Sequence, residues 1–182
     1  MTDKEIRRIA LDFRGYIESA RHANLFCGDQ FDNFPNACCG DASDLLSKYF
    51  KEFEIDSIYV HYVDIQTRGG HSWLVIKDNR VSTPTNYVPG YQGEALNLIK
   101  QYGGNVVDNP IDHYQYCEED ISGGLIVDIT ADQFFDYPVF VGYYDNAYKR
   151  FEFRWAEDFD GLRNNREYIL YKKIISTKRP ID

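Results

Sequence analysis

Residues 38–76 decide the fold class, and they read CCGDASDLLSKYFKEFEIDSIYVHYVDIQTRGGHSWLVI. Apolar residues in the first part recur at helical spacing, which predicts an amphipathic helix over Cys39–Phe53. After this helix the period changes to two, which predicts strands at Ser57–Ile65 and His71–Ile76 with two glycines between them. The stretch therefore predicts a helix followed directly by two strands.

The rest of the chain extends this pattern. Residues 3–22 have an apolar face at 3.6-residue spacing, and Thr2 with Glu5 forms a capping box, so a first helix is expected there. Further strands are expected at Leu125–Ile129, Pro138–Tyr143, Phe151–Trp155 and Tyr168–Ile175, the last with a helix as the alternative, and a short return at Val81. Helices that precede a run of strands predict an α+β fold, with N-terminal helices, including the cysteine-bearing one, on a mostly antiparallel sheet.

The length and composition are those of one globular domain over residues 1–182. The chain is 43% hydrophobic, which is enough for a core. Residues 83–122 are the least regular part, with one helical piece expected near Glu94–Tyr102. Because this segment is longer than a simple connection, we interpret it as an inserted segment, of the kind that often covers or shapes a site.

Charge and cysteine usage exclude several classes of function. The 20 basic and 29 acidic residues give a net charge of −9, which disfavours binding to nucleic acid or to an anionic membrane. No run approaches the roughly 18 to 20 apolar residues of a membrane span, and the charged N-terminus lacks a signal peptide, so a cytoplasmic location is expected. Four cysteines without a CxxC pair predict neither a disulfide scaffold nor a zinc site. We expect no metal and no cofactor.

Three stretches carry residue types suited to nucleophilic chemistry: FPNACCGDASDLL, GGHSWLVI and LIVDITADQF. In the first, a cysteine lies where a loop becomes a helix, and the unpaired N–H groups and helix dipole there favour a thiolate. In the second, His71 opens a strand. In the third, Asp128 lies in an apolar run, where a buried carboxylate needs a partner such as an imidazole N–H. A cysteine nucleophile needs a base, and the base needs a third group to orient it.

The motifs and their order resemble the transglutaminase-like branch of the papain-like cysteine enzymes. The resemblance consists of a cysteine at a helix N-terminus, H-x-W at His71-Ser72-Trp73 and D-x-T at Asp128-Ile129-Thr130, and it covers roughly residues 33–135. The 57 residues from His71 to Asp128 exceed the compact hairpin typical of that family, so the resemblance implies that segment 83–122 is an insertion.

The resemblance also implies a mechanism of acyl transfer. The Cys39 thiolate would attack an amide or ester carbonyl, His71 would act as base and then as acid, and Asp128 would orient the imidazole. The Cys39 backbone N–H and one polar side chain of the preceding loop would stabilise the oxyanion. The candidates for that side chain are Gln30, Asn33 and Asn36.

Alternatives remain open at each position. Cys38 is the rival nucleophile, although Cys39 borders the predicted core face of the helix and matches the family pattern better. His61 is expected to face solvent or the other side of the sheet, and Cys27 and Cys117 are expected to be structural or incidental. The rivals of Asp128 are Asp78 and Asn79.

Two hypotheses of function follow. The first is a cysteine enzyme that acts on an amide bond of a peptide or protein, as a protease, deamidase or transglutaminase. The second is a catalytically inactive binding or interaction module on the same scaffold, with segment 83–122 as its partner surface. An exported effector with the same chemistry is a third interpretation, and the substrate and oligomeric state are left open.

Overall fold

The structure is a computed structural model, and it describes residues 1–82, 86–88, 113–158 and 162–178. The helices are α1 (Asp3–His22), α2 (Cys39–Lys51), α3 (Glu118–Ile121) and α4 (Asn165–Ile175). The strands are β1 (Ser57–Asp64), β2 (Gly70–Ile76), β3 (Asn86–Val88), β4 (His113–Tyr116), β5 (Leu125–Asp128), β6 (Phe140–Gly142) and β7 (Phe151–Asp158). Short 3-10 helices cover Gln30–Asn33, Ala131–Gln133 and Tyr148–Arg150.

The strands of the described ranges form one antiparallel sheet in the order β3-β4-β7-β1-β2-β5-β6. The ladder between β1 and β2 runs from Ser57 opposite Ile76 to Val63 opposite Gly70. The ladder between β2 and β5 covers only the other end of β2, from Leu74 to Ile76. The first residues of β2 therefore lie beyond the end of β5, and the predicted α+β class with an antiparallel sheet is confirmed.

The helix face of the sheet is covered by α1, α2 and α4. Their apolar stripes share one core with alternate strand residues such as Tyr59 and Leu74. Within this core the Phe13 and Tyr49 rings stack with centroids 4.8 Å apart. The loop before α2 adds three buried phenylalanines to the same core: Phe26, Phe31 and Phe34.

The opposite face of the sheet carries a second core, rich in aromatic side chains, which we call the aromatic face. Trp73 stacks on Tyr62 with centroids 4.5 Å apart and meets Tyr148 edge-on at 5.1 Å. Phe151 lies against the same tryptophan. Because neighbouring residues of a strand point to opposite faces, β2 gives Leu74 to the helix face and Trp73 to the aromatic face.

α1 is held by specific contacts at its start and in its middle. The predicted capping box is present, with the Glu5 N–H donating to Thr2 Oγ1 at 3.3 Å and the Thr2 N–H to Glu5 Oε2 at 2.7 Å. Further along, the buried Arg14 guanidinium donates to the Ile129 carbonyl at 2.7 Å and pairs with Asp132 Oδ2 at 2.7 Å. This contact fastens the turn after β5 to the N-terminal helix.

Two sequence-based expectations were wrong. The predicted closing strand at Tyr168–Ile175 belongs to helix α4, because Asn164 caps its start and the buried residues Leu170 and Ile174 are one helical turn apart. The expected strand at Val81 is instead a turn, closed by a hydrogen bond from its N–H to the Asp78 carbonyl.

The predicted segment 83–122 contributes β3, β4 and α3 where it is described. β4 pairs with β7, so this part of the segment extends the sheet. The helical piece expected near 94–102 lies outside the described residues.

Candidate active site

Cys39 is the first residue of α2. The residue before the helix, Cys38, provides no side-chain cap, so the first N–H groups of α2 are not satisfied by a capping side chain. Two residues before Cys39, Ala37 has φ +56°, a left-handed conformation that costs free energy for a residue with a Cβ. Two glutamines hold Ala37 in this conformation. Gln30 Nε2 donates to the Ala37 carbonyl, and the Ala37 N–H donates to Gln133 Oε1 at 3.2 Å.

The two neighbouring cysteines lie in different environments. Cys38 is 1% exposed, and its Sγ–H donates to the carbonyls of Gln30 and Asn36. Burial, with a smaller effect of nearby charges such as Asp41, raises the pKa of Cys38 to about 12. Cys39 is half-buried, and its Sγ lies 3.9 Å from the Gly70 carbonyl oxygen, directly before His71. Of the two rivals, Cys39 is therefore the one whose thiol lies beside the predicted base.

His71 and Asp128 form a buried pair. His71 Nε2 lies 2.7 Å from Asp128 Oδ2, and the two side chains are 0% and 1% exposed. Burial lowers the pKa of His71, but the Asp128 carboxylate and, to a smaller degree, the Cys39 thiol more than offset this and raise it to about 9. Burial likewise raises the pKa of Asp128, yet His71 and its hydrogen bonds lower it overall. The pair thus favours an imidazolium next to a carboxylate.

Asp128 is held by donors on both of its oxygens. The Thr130 backbone N–H and Oγ1 donate to Oδ1 at 2.9 and 3.1 Å, and Tyr148 Oη donates to Oδ2 at 3.0 Å. These contacts explain the spacing of the D-x-T motif, since Thr130 orients the carboxylate two residues before it. Tyr148 was not predicted as part of the site, because no motif marks it and it reaches Asp128 from 20 residues further along the chain.

The free nitrogen of His71 is Nδ1. It is buried and has no hydrogen-bond partner among the described residues. Because Asp128 accepts from Nε2–H, the neutral ring keeps its lone pair on Nδ1, and the thiol that affects the pKa of this histidine is Cys39. The orientation of the ring therefore suits transfer of a proton between Cys39 and Nδ1.

Aromatic rings surround the imidazole. The centroid of the His71 ring lies 4.6 Å from that of Phe134, 5.4 Å from Trp73 and 5.5 Å from Phe151. This packing restricts rotation of the ring and excludes water from its contact with Asp128. Low polarity there strengthens the attraction between the two charges.

The rival residues are engaged elsewhere. His61 lies on the face opposite to His71 and is half-buried, with Nδ1 2.9 Å from Ser72 Oγ. Asp78 binds the guanidinium of Arg80, with Arg80 Nε 2.9 Å from Asp78 Oδ2, and Asn79 is exposed in the turn that follows β2.

The remaining cysteines lie apart from the triad. Cys27 is exposed, and Cys117 Sγ lies 3.0 Å from Asp120 Oδ2. The contact of Cys117 is with a residue outside the proposed site.

The oxyanion candidates of the preceding loop differ in what they contact. The amide nitrogen of Gln30 is used by the Ala37 carbonyl, and Asn33 and Asn36 are exposed. A fourth amide, that of Gln133, reaches the same loop from the turn after β5. Sequence reasoning did not find Gln133, since nothing local in the sequence indicates its contact with Ala37.

Within the described ranges, no cluster of three or more His, Cys, Asp or Glu side chains could hold a metal ion. No helix in that part of the chain is long and apolar enough to cross a membrane.

The geometry therefore brings together the helix-terminal thiol of Cys39, the buried imidazole of His71 and the hydrogen-bonded carboxylate of Asp128. These are the three residues that the sequence predicted. Comparison of the chain with protein-family models, curated proteins and solved structures found no match.

Proposed function

We propose that this protein is a cysteine-dependent acyl-transfer enzyme with a papain-like, transglutaminase-like arrangement, acting on an amide bond of a peptide or protein. The observation that carries the proposal is the buried His71, bound to Asp128 through Nε2, whose Nδ1 has no hydrogen-bond partner other than the neighbouring Cys39 thiol in the described part of the chain. A purely structural histidine would be expected to use both ring nitrogens, because a buried polar atom without a partner costs free energy.

Each residue has a defined step. The neutral form of His71 takes the Cys39 proton on Nδ1, which gives a thiolate beside the imidazolium that Asp128 favours. The thiolate sulfur then adds to the substrate carbonyl carbon while the carbonyl π electrons move to oxygen. The tetrahedral intermediate collapses, the C–N bond breaks, and the imidazolium returns its proton to the leaving amine. Asp128 keeps the ring in the required tautomer throughout.

The acyl-enzyme then reacts with water or with an amine. Water yields hydrolysis of a peptide bond or deamidation of a side chain, and an amine yields a new amide. The residues of the triad are the same in each case, so the proposal is for the acyl-transfer step itself.

The experiment is alkylation by iodoacetamide across pH 5 to 9, read for each cysteine by peptide mass spectrometry. The exposed Cys27 provides a reference thiol in the same molecule. We expect Cys39 to be labelled at pH 6 at least about tenfold faster than Cys27, because a protonated His71 stabilises the thiolate.

The controls are Cys39→Ser and His71→Ala. The first should remove the fast label, and the second should leave Cys39 as slow as Cys27. Equal labelling of the two cysteines in the wild type, or fast labelling that survives His71→Ala, would contradict the enzyme and favour an interaction module.

A further inference from the structure

Arg166 is the second residue of α4, and its guanidinium binds two carboxylates. Its Nε and Nη2 donate to the two oxygens of Asp29, each at 2.9 Å, and its Nη1 donates to Asp41 Oδ2 at 2.7 Å. A cation in the first turn of a helix faces the positive end of the helix dipole, which is unfavourable. The position of Arg166 is therefore explained by its two partners and not by its own helix.

The two carboxylates lie on either side of the loop that precedes α2. Asp29 caps the short helix at the start of this loop by accepting from the Phe31 N–H at 3.0 Å. Asp41 lies in the first turn of α2, two residues after Cys39. Arg166 thus fastens both ends of the segment that carries the proposed nucleophile to α4.

The charge of Asp41 has opposite effects on the helix and on a thiolate. A carboxylate in the first turn stabilises a helix, but the same charge two residues from Cys39 repels a negative sulfur. Both charges reach the neighbouring thiol: burial is the largest cause of the raised pKa of Cys38, Asp41 raises it further, and Arg166 lowers it. Without Arg166, an unpaired carboxylate would lie beside the proposed nucleophile.

Further titratable or charged groups lie near this end of α2, on β1, β2, α2 itself and the start of α4: Tyr59, His71, Asp44, Arg163 and Glu167. The carboxylates among them have donors of their own. Asp44 pairs with Arg163 Nε at 2.8 Å, and Glu167 accepts from Asn164 Nδ2 at 2.7 Å. The guanidinium of Arg166 therefore serves Asp29 and Asp41.

We propose that Arg166 is a positioning residue that neutralises Asp41 and so allows the Cys39 thiolate to form beside His71, an inference that rests on the proposed function. The guanidinium acts through the charge of Asp41 and through the position of the loop, without touching the substrate. Helix α4, at the far end of the sequence, is then required for thiol reactivity as well as for packing.

The experiment measures alkylation of Cys39 by iodoacetamide in the full chain from pH 4 to 9, read by peptide mass spectrometry as the midpoint of the pH profile. In Arg166→Gln, the unpaired Asp41 carboxylate should raise this midpoint by about 0.5 to 1 pH unit, as expected for one charge at about 7 Å in a partly shielded site. In Asp41→Asn, the midpoint should move the other way, by about 0.5 pH unit, because a negative charge beside the sulfur is lost.

A double variant and a matched control separate charge from packing. Arg166→Gln combined with Asp41→Asn should reverse at least about half of the rise, whereas a role in packing alone predicts no rescue. Lys51→Gln removes the same charge at the other end of α2, about 18 Å from Cys39, where Lys51 Nζ pairs with Asp56 Oδ1 at 2.6 Å. Its midpoint should stay within about 0.2 pH unit of the wild type.

An unchanged midpoint in Arg166→Gln, or a rise that Asp41→Asn does not relieve, would overturn the inference. If Arg166→Gln does not fold, Asp41→Asn decides alone, and a midpoint that fails to fall overturns it. A wild-type Cys39 profile equal to that of Cys27 refutes the proposed function itself. A low wild-type midpoint that no variant moves refutes only the role of Arg166, so the two failures are distinguishable.

Discussion

The two faces of the sheet are packed by different means, and the proposed site uses both. On the helix face, long amphipathic helices cover the strands, and α2 carries Cys39 at its first residue. On the aromatic face, rings from short turns and strands enclose His71 and Asp128. The thiol and its base thus come from opposite faces and meet at the start of β2, beyond the end of β5.

This difference between the two faces predicts different effects of substitutions on stability and on thiol reactivity. Packing on the helix face fixes where α2 lies, and packing on the aromatic face fixes the orientation and charge of one imidazole. Substitutions on the two faces should therefore affect thermodynamic stability alike but thiol reactivity differently.

The largest effect is expected from Asp128→Asn. An amide that donates to Nε2 would place the histidine proton on Nδ1, the nitrogen that accepts from Cys39 in the proposed mechanism. We expect iodoacetamide labelling of Cys39 at pH 6 to 7 to slow at least about 100-fold. The matched control is Asp132→Asn in the same segment, whose carboxylate pairs with Arg14. It should lose stability but keep the labelling rate within about threefold, and a similar loss of rate in both variants would contradict a specific role of Asp128.

The next effect is a pH dependence of stability. The pKa of His71 is raised from 6.5 to about 9 in the folded protein, mainly by Asp128 against the effect of burial. The folded state therefore binds more protons between these values, and the stabilisation is complete below pH 6.5 and lost as the pH rises through 9. Urea unfolding should show the free energy of unfolding falling by a few kcal/mol from pH 7 to 9.5, and His71→Gln should remove most of that fall.

A second buried group titrates in a lower window. Burial raises the pKa of Asp44 from 3.8 to about 7, partly offset by Arg163. Its ionisation therefore costs stability between about pH 4 and 7, so the fall above pH 7 has little contribution from Asp44. The raised pKa of Cys38 adds a smaller fall as the pH approaches 9.5, which the His71→Gln variant retains. If the fall above pH 7 persists in His71→Gln, the ion pair with Asp128 is not its source.

Tyr148→Phe tests the hydrogen bonds that hold the Asp128 carboxylate. It removes the hydroxyl that donates to Asp128 Oδ2 at 3.0 Å and leaves the ring in place. Because hydrogen bonds to charged groups are strong, we expect the free energy of unfolding to fall by about 2 kcal/mol. Tyr144→Phe is the matched control, since its hydroxyl donates to the Tyr148 carbonyl at 3.2 Å. Tyr144→Phe should lower the free energy of unfolding by about 1 kcal/mol or less. Chemical denaturation of both variants measures the two losses, and equal losses would contradict a special role of the hydrogen bond to Asp128.

The smallest effect compares one phenylalanine from each face. Phe13 lies in the core of the helix face, and Phe151 lies in the aromatic face against His71. Phe13→Leu and Phe151→Leu should each lower the free energy of unfolding by about 1 kcal/mol. Only Phe151→Leu should also change the pH at which Cys39 becomes reactive, and an equal change in Phe13→Leu would remove the distinction between the faces.

The sequence predicted the elements with strong periodicity and the residues that local motifs mark. Helices α1 and α2 and strands β1 and β2 lie within two residues of their expected bounds, and the pairing of His71 with Asp128 is observed. The closing element was misread because an apolar run such as YILYKKII suits a strand or a helix, and only contacts with α1 and α2 decide it. Tyr148 and Gln133 were missed because their contacts with Asp128 and Ala37 join residues far apart in sequence.

The Arg14 contact has a consequence for biosynthesis. This side chain of α1 binds the Ile129 and Pro138 carbonyls, 115 and 124 residues later in the chain. As the chain leaves the ribosome from its N-terminus, Cys39 emerges long before the turn that Arg14 fastens and before Tyr148. Contacts of such long separation form late in folding. The contacts that hold His71 and Asp128 beside Cys39 therefore arise only once most of the protein has been synthesised.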